Sequence, residues 1–98
     1  MSVSLEDVYS KSSSLVHRAV ADEAILVPIR RDVADLDSIY ALEGVGPRIW
    51  ELVDGRRTVG DIVSSIVAEY DVDPAIAEAD VLEFVLEIQS LGGLERVK

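Results

Sequence analysis

The hydrophobic period of this chain changes once, near its middle. From Leu15 to Val20 and from Glu23 to Arg30 it is rich in Val, Ile and Leu, and Ala21-Asp22-Glu23 between the two runs can turn. Apolar runs joined by a short polar break read as a β-hairpin. In the second run Ile25, Val27 and Ile29 recur at every second position, so they share one face of a strand. Pro28 sits among them and donates no ladder hydrogen bond, which places it at a bulge, an edge or the strand's last pairing. Arg31 to Leu36 reads as a polar loop. Ser38 to Glu43 then alternates again, with Ile39 and Ala41 on one face and Ser38, Tyr40 and Leu42 on the other.

Beyond Gly46 the spacing becomes helical. Pro47 suits a first helical position, Ile49, Trp50, Leu52 and Val53 supply an apolar face, and Gly55 supplies the stop. Thr58-Val59-Gly60-Asp61 resembles a capping box. Val59, Ile62, Val63, Ile66, Val67 and Tyr70 follow at helical spacing without a break. Asp73-Pro74 opens a third helix that runs to about Leu91 and stops at Gly92-Gly93. Leu94 to Val97 can add a short terminal strand. The expectation is an α+β fold, winged helix-turn-helix-like, with a three-stranded antiparallel sheet followed by three helices. Trp50, Leu52, Ile62, Ile66, Phe84, Val85 and Ile88 are expected in its core. Residues 1–14 read as a flexible N-terminal arm with a hinge at Ser12-Ser13-Ser14. Leu5, Val8 and Tyr9 could there form one helical turn docked on the body. Residues 15–98 read as a single domain.

Composition narrows the functions. The chain has 98 residues, 49% of them hydrophobic, and no Cys. One small core is therefore possible without staples, and disulfides, thiolate metal sites and thiol nucleophiles are excluded. No apolar run approaches the roughly 20 residues that span a bilayer, and MSVSLEDVYSKSSS is too polar and acidic for a signal peptide. A cytoplasmic location is expected. The formal charge is −10, from 19 acidic against 9 basic side chains. Nucleic acids and anionic membranes would be repelled. The acidity serves solubility, or it favours a basic or neutral partner.

Candidate chemistry is sparse. Asp37-Ser38-Ile39 resembles the triplet that holds a phosphopantetheine arm in carrier proteins. Such a Ser needs the start of a long helix, and Gly44 and Gly46-Pro47 forbid one here. His17 is the only His and has no nucleophile arranged around it. Gly44-Val45-Gly46-Pro47 ends in a Pro that removes a phosphate-binding N–H. Asp71-Val72-Asp73 lacks the remainder of a calcium loop, and helix capping explains Asp73 better. The helix-turn-helix suggests DNA, yet the stretch Val59 to Tyr70 exposes Asp61, Ser64, Ser65 and Glu69 and holds no Lys or Arg. The expectation is no enzyme, no cofactor, no metal and no nucleic-acid partner.

Two features point to a peptide. With Val81 set at zero on a helical wheel, Phe84, Val85, Ile88 and Leu91 fall within about 80° of it, while Leu82 and Leu86 fall about 100–140° away with Gln89 beside them. That arc is wider than one core contact requires. Leu82 and Leu86 either pack on the arm or another helix, or line a groove for a partner. In a three-stranded meander the third strand is an edge, to which an extended peptide can add. Asp37 and Glu43 flank that strand and would favour a peptide with Lys or Arg near its ends.

These residues bear a family resemblance. IYALEGVGPRIWELVDGRRTVGDIVSSIVAEYDVD and ADVLEFVLEIQSLGGLERV look like the PqqD family, also called RiPP recognition elements, across roughly Leu15 to Val97. The resemblance implies a non-catalytic winged-helix-like domain. Such domains bind the leader of a ribosomally made precursor peptide as a strand added to the third strand. They present it to a modifying enzyme such as a radical SAM protein, cyclase or leader peptidase. By position, Ser38, Ile39, Tyr40, Ala41, Leu42 and Glu43 match the pairing strand, and Leu82, Val85, Leu86 and Gln89 the groove wall. The chain departs from the pattern at Glu43, where many relatives carry Asn, at Pro28, and in the extra Gly of Leu91-Gly92-Gly93-Leu94. A winged-helix regulatory or interaction domain acting through protein contacts is the alternative.

Overall fold

The structure is a computed structural model, and it describes residues 3–13, 15–20, 23–28 and 40–97. The chain forms β1 (Tyr9–Lys11), β2 (Leu15–Val20), β3 (Glu23–Pro28), β4 (Tyr40–Leu42), α1 (Gly46–Leu52), α2 (Val59–Glu69), α3 (Pro74–Ser90) and β5 (Leu94–Arg96). β2, β3 and β4 make an antiparallel sheet in that order. Three helices follow, α1 and α2 joined by the turn Asp54-Gly55-Arg56-Arg57, so the architecture is α+β and winged helix-turn-helix-like. No helix among the described residues is long and apolar enough to cross a membrane.

β3 is the central strand, and Pro28 is its last residue, paired with Leu15 at the start of β2. Among the described residues β4 pairs with Ala24 to Leu26. Leu26, directly opposite Tyr40, is fully buried, whereas Ile25 and Val27 are half-buried on the other face. The face that Ile25 and Val27 share is therefore the outer one. Beneath the inner face lie Ile49, Trp50 and Leu52 of α1, Ile62 and Ile66 of α2, and Val81, Phe84, Val85 and Ile88 of α3.

Local chemistry sets the helix ends. The Asp61 backbone N–H donates to Thr58 Oγ1 and the Thr58 N–H donates to Asp61 Oδ2, both at 3.0 Å, completing the capping box. Asp73 Oδ1 accepts from the Ala75 N–H at 2.8 Å. At the end of α3 the Gly93 N–H donates to the Ile88 carbonyl at 2.9 Å and the Gly92 N–H to the Gln89 carbonyl at 3.0 Å, a Schellman closure. Gly92 takes the left-handed conformation this needs, with φ +81°. Gly93 serves a different purpose. A Cβ there would overlap Leu15 and come within 2.7 Å of the Ile88 methyl, so β2 can meet α3 only over a bare backbone. Gly93→Ala is expected to lower stability by about 1–3 kcal/mol through forced displacement of Leu15 and Ile88, read by urea denaturation.

The N-terminal segment differs from the flexible arm that its composition suggested. β1 pairs antiparallel with β5, Tyr9 opposite Arg96 and Lys11 opposite Leu94. Val8 bridges to Thr58, and Val8 and Tyr9 are 6% and 3% exposed. The carbonyls of Asp7 and Leu5 accept from the Val59 and Gly60 N–H groups, each at 2.8 Å. These are first-turn donors of α2 that have no partner within the helix. Leu5, Val8 and Tyr9 therefore belong to a turn and a strand, not to one helical turn, although Val8 and Tyr9 do dock on the body. Ser12 is buried rather than a hinge, and its N–H donates to the Gly93 carbonyl at 2.9 Å.

Candidate binding groove

Among the described residues the sheet ends at β4, whose far edge has no strand partner there. Such an edge can pair with an added strand. Directly after β4 the chain turns through Glu43, Gly44 and Val45, closed by the Gly46 N–H donating to the Glu43 carbonyl at 2.9 Å, and enters α1. Gly46 is buried against Phe84 at 3.5 Å and Leu42 at 3.7 Å from where a Cβ would stand. That contact pins the turn to α3.

Between β4, this turn and α3 lies an open groove of about 290 Å³. Phe84, Val45 and Gly46 supply apolar lining. Glu43 lines it from the turn, and Asp80, Glu83 and Glu87 line it from α3. Positions 80, 83, 84 and 87 follow i, i+3, i+4, i+7 spacing, which places them in one row along the helix. Tyr40 crosses between the two walls. Burial of its hydroxyl, the Glu87 carboxylate beside it and the charges of Glu83 and Glu43 push the phenol up to about 12. Its proton is therefore held throughout the neutral range.

The residues expected at the site divide. Tyr40 and Glu43 line the groove, Ala41 is exposed on β4, and Leu42 is buried in the core. Ser38 and Ile39 lie outside the described residues, as do Asp37 and the loop expected before them. None of the α3 residues expected to form the wall lines this groove. Val85 is fully buried, Leu82 packs on the core, Gln89 is half-buried and Leu86 is 43% exposed. Leu82, Val85 and Gln89 lie about 150–170° around the helix from the middle of the groove row, and Leu86 about 110°. A wheel gives the width of an apolar arc but not which flank meets the sheet edge. Here the groove flank is mostly acidic, so a sequence reading assigns it to solvent. The readable signal was the row Asp80, Glu83, Glu87 with Phe84 inside it.

The helix-turn-helix carries no comparable surface. Arg57 donates from Nη1 to Asp54 Oδ2 at 2.7 Å, and the backbone N–H groups of Arg57 and Arg56 hold the Asp54 carboxyl below the usual carboxylate range. The arginines thus close their own turn. Among the described residues no three His, Asp or Glu side chains are placed to hold a metal ion.

Comparison with known proteins follows this geometry. The family model described as Coenzyme PQQ synthesis protein D (PqqD) matches residues 23–92. The chain is 44% identical over 57 residues to the Bifunctional coenzyme PQQ synthesis protein C/D of Methylorubrum extorquens, covering 58% of this chain and 15% of that protein. It is 31% identical over 52 residues to the PqqA binding protein of Gluconobacter oxydans, covering 53% of this chain and 54% of that one. The matches thus span only part of either relative. Among solved structures, TbiB1 in complex with the TbiA(beta) leader peptide aligns with a TM-score of 0.70 at 29% identity, over 88% of this chain and 94% of the other.

Proposed function

This chain belongs to the PqqD family, and we propose that it is a peptide-binding adaptor for the leader of a ribosomally synthesised precursor peptide. The leader adds as a strand to the outer edge of β4, with its side chains on one face turned into the groove against α3. The chain performs no catalysis in this reading. It holds the precursor in the cytoplasm for a modifying enzyme such as a radical SAM protein, a cyclase or a leader peptidase. The observation that carries the reading is the β4 edge, without a strand partner among the described residues, beside a groove lined in part by apolar residues, in a fold shared with a leader-peptide complex. Backbone pairing supplies affinity and the groove supplies selection. In this reading Tyr40, Ala41 and Leu42 pair with the leader, Glu43 flanks them from the turn, and Ser38 and Ile39 would extend the pairing. On α3 the contacts pass to Phe84, Glu83 and Glu87. Leu86 is exposed in this reading to meet another protein, while Leu82 and Val85 support the helix from the core.

Strand addition makes a periodic prediction. Synthetic leader segments of precursor peptides encoded near the gene are titrated into labelled protein, and amide shifts should concentrate at Tyr40–Glu43 and along Asp80–Glu87. N-methylation of the peptide backbone at one parity of positions should weaken binding about tenfold per site, for about 1.4 kcal/mol of lost hydrogen bond. The other parity should be tolerated. Equal loss at both parities, or shifts that avoid β4, would reject strand addition and favour a domain that acts through protein contacts elsewhere.

A further inference from the structure

The groove carries charge that nothing in the described fold balances. Glu43, Asp80, Glu83 and Glu87 all border it. None of them takes part in an ion pair among the described residues, where Arg48, Arg57 and Arg96 pair with Glu51, Glu69, Asp54 and Asp7. Like charges three and four positions apart on a helix oppose one another, so the row Asp80, Glu83, Glu87 is unfavourable to α3 alone. Nor are these carboxylates placed to share a metal ion. Tyr40 keeps its proton and adds no further charge, and Phe84 adds an aromatic ring to the lining beside Glu87. An edge that pairs backbone, a ring that covers a side-chain stem and several carboxylates without an ion pair among the described residues, of which Glu87 accepts a hydrogen bond from the Tyr40 hydroxyl, fit one chemistry. It is an extended peptide with Lys or Arg on the face turned to α3, its stem on Phe84 and its charged head among the acids.

We propose that this groove selects its leader by charge. It accepts strand-forming segments with a Lys or Arg directed at Glu83 and Glu87, and rejects those with Asp or Glu at that position. The proposal rests on strand addition at β4 and specifies its occupant. The chain's charge of −10 would act in the same direction at longer range, hastening encounter with a basic leader at low salt.

A displayed library of random dodecapeptides, selected against the 98-residue protein, tests both ideas separately. A parallel selection uses Glu83→Lys/Glu87→Lys, both positions being exposed so that the fold tolerates the change. Circular dichroism verifies that it does, and Glu83→Gln/Glu87→Gln serves as a second, charge-neutral variant. The expected result is enrichment of Lys or Arg at positions of one parity on the parent, and of Asp or Glu at the same parity on the Lys variant. Affinity of the best basic peptide should fall about tenfold in the Gln variant at low ionic strength, with the difference shrinking in about 0.5 M salt. Peptides that shift the Tyr40–Glu43 amides but show no charge bias, or an unchanged bias in the Lys variant, would overturn charge selection and leave strand addition standing. Enriched peptides that leave Tyr40–Glu43 unshifted, or no enrichment at all on a folded protein, would remove strand addition and the selection proposed on it together.

Discussion

Trp50→Ala is expected to lower the stability of this chain by about 3–5 kcal/mol, the usual range for truncating a buried large aromatic. At roughly 4 °C per kcal/mol for a domain of this size, the melting temperature should fall by about 12–20 °C. The indole is 5% exposed and lies in the core with Ile49 and Leu52. It is also where the N-terminal segment meets α1. Lys11 places its ammonium 5.4 Å from the ring centroid and donates to the Val53 carbonyl at 2.8 Å. Burial lowers the Lys11 pKa, against the raising influence of Asp54 and Glu51. The substitution therefore opens a cavity and also removes the surface on which Lys11 rests. Trp50→Phe, which keeps most of the volume, should lose much less. A scan showing Trp50→Ala within 3 °C of the parent would mean that the ring is not packed as the structure has it.

Tyr9→Ala is expected to cost about 3–4 kcal/mol, close to the Trp50 value and for the same reason. Its interest lies in position. A mobile arm predicts no effect at residue 9, whereas the structure has Tyr9 3% exposed in β1, paired with Arg96 of β5, and accepting on its carbonyl from the Gly55 N–H at 2.9 Å. Burial, followed by the Asp7 charge, raises the phenol pKa, with Arg96 opposing. Thermal denaturation separates the two outcomes, and hydrogen exchange adds a second readout. The amides of Gly55, Val59, Gly60 and Val97, which donate to carbonyls of residues 5–9, should lose protection together. Protection unchanged at all four would show that the segment contributes nothing to the fold.

Most of the secondary structure was legible because its causes are local. The turn from period two to helical period falls where β4 gives way to α1. Thr58 and Asp61 cap α2 across three residues, Asp73 caps α3 across two, and Gly92 ends it with a positive φ. The core was legible for a related reason: Trp50, Leu52, Ile62, Ile66, Phe84, Val85 and Ile88 are all buried, as helical spacing requires. The third strand as a sheet edge was legible too, since three strands in a meander leave the last with one neighbour. The missing N–H of Pro28 left a bulge, an edge or the last pairing open, and the structure has it in the last described pairing of β3.

Of the residues expected at the site, strand order brings Tyr40 and Glu43 to the groove, whereas the expected α3 wall of Leu82, Val85, Leu86 and Gln89 lies around the helix from it. Periodicity places Leu82, Leu86 and Gln89 together on one side of α3 and Asp80, Glu83 and Glu87 on another. Which side meets β4 depends on the rotation of α3 about its axis, and that rotation is set by packing against α2, α1 and β5 and by Gly46 on Phe84. The strand β1 was missed for a similar reason. Three residues of strand carry no detectable period, and their partners lie almost a whole chain away at Leu94–Arg96.

Interactions closed within a turn of helix or a pair of neighbouring strands leave a mark on residue order, and these assigned the elements, their ends and the core of this protein. The acidic groove and the clasp of β1 on β5 arise from contacts between residues 40 and 87, 15 and 93, 9 and 96. No spacing rule links positions so far apart, because a side chain's neighbour across a packed interface depends on the relative rotation of whole elements, and that exists only once the chain has folded.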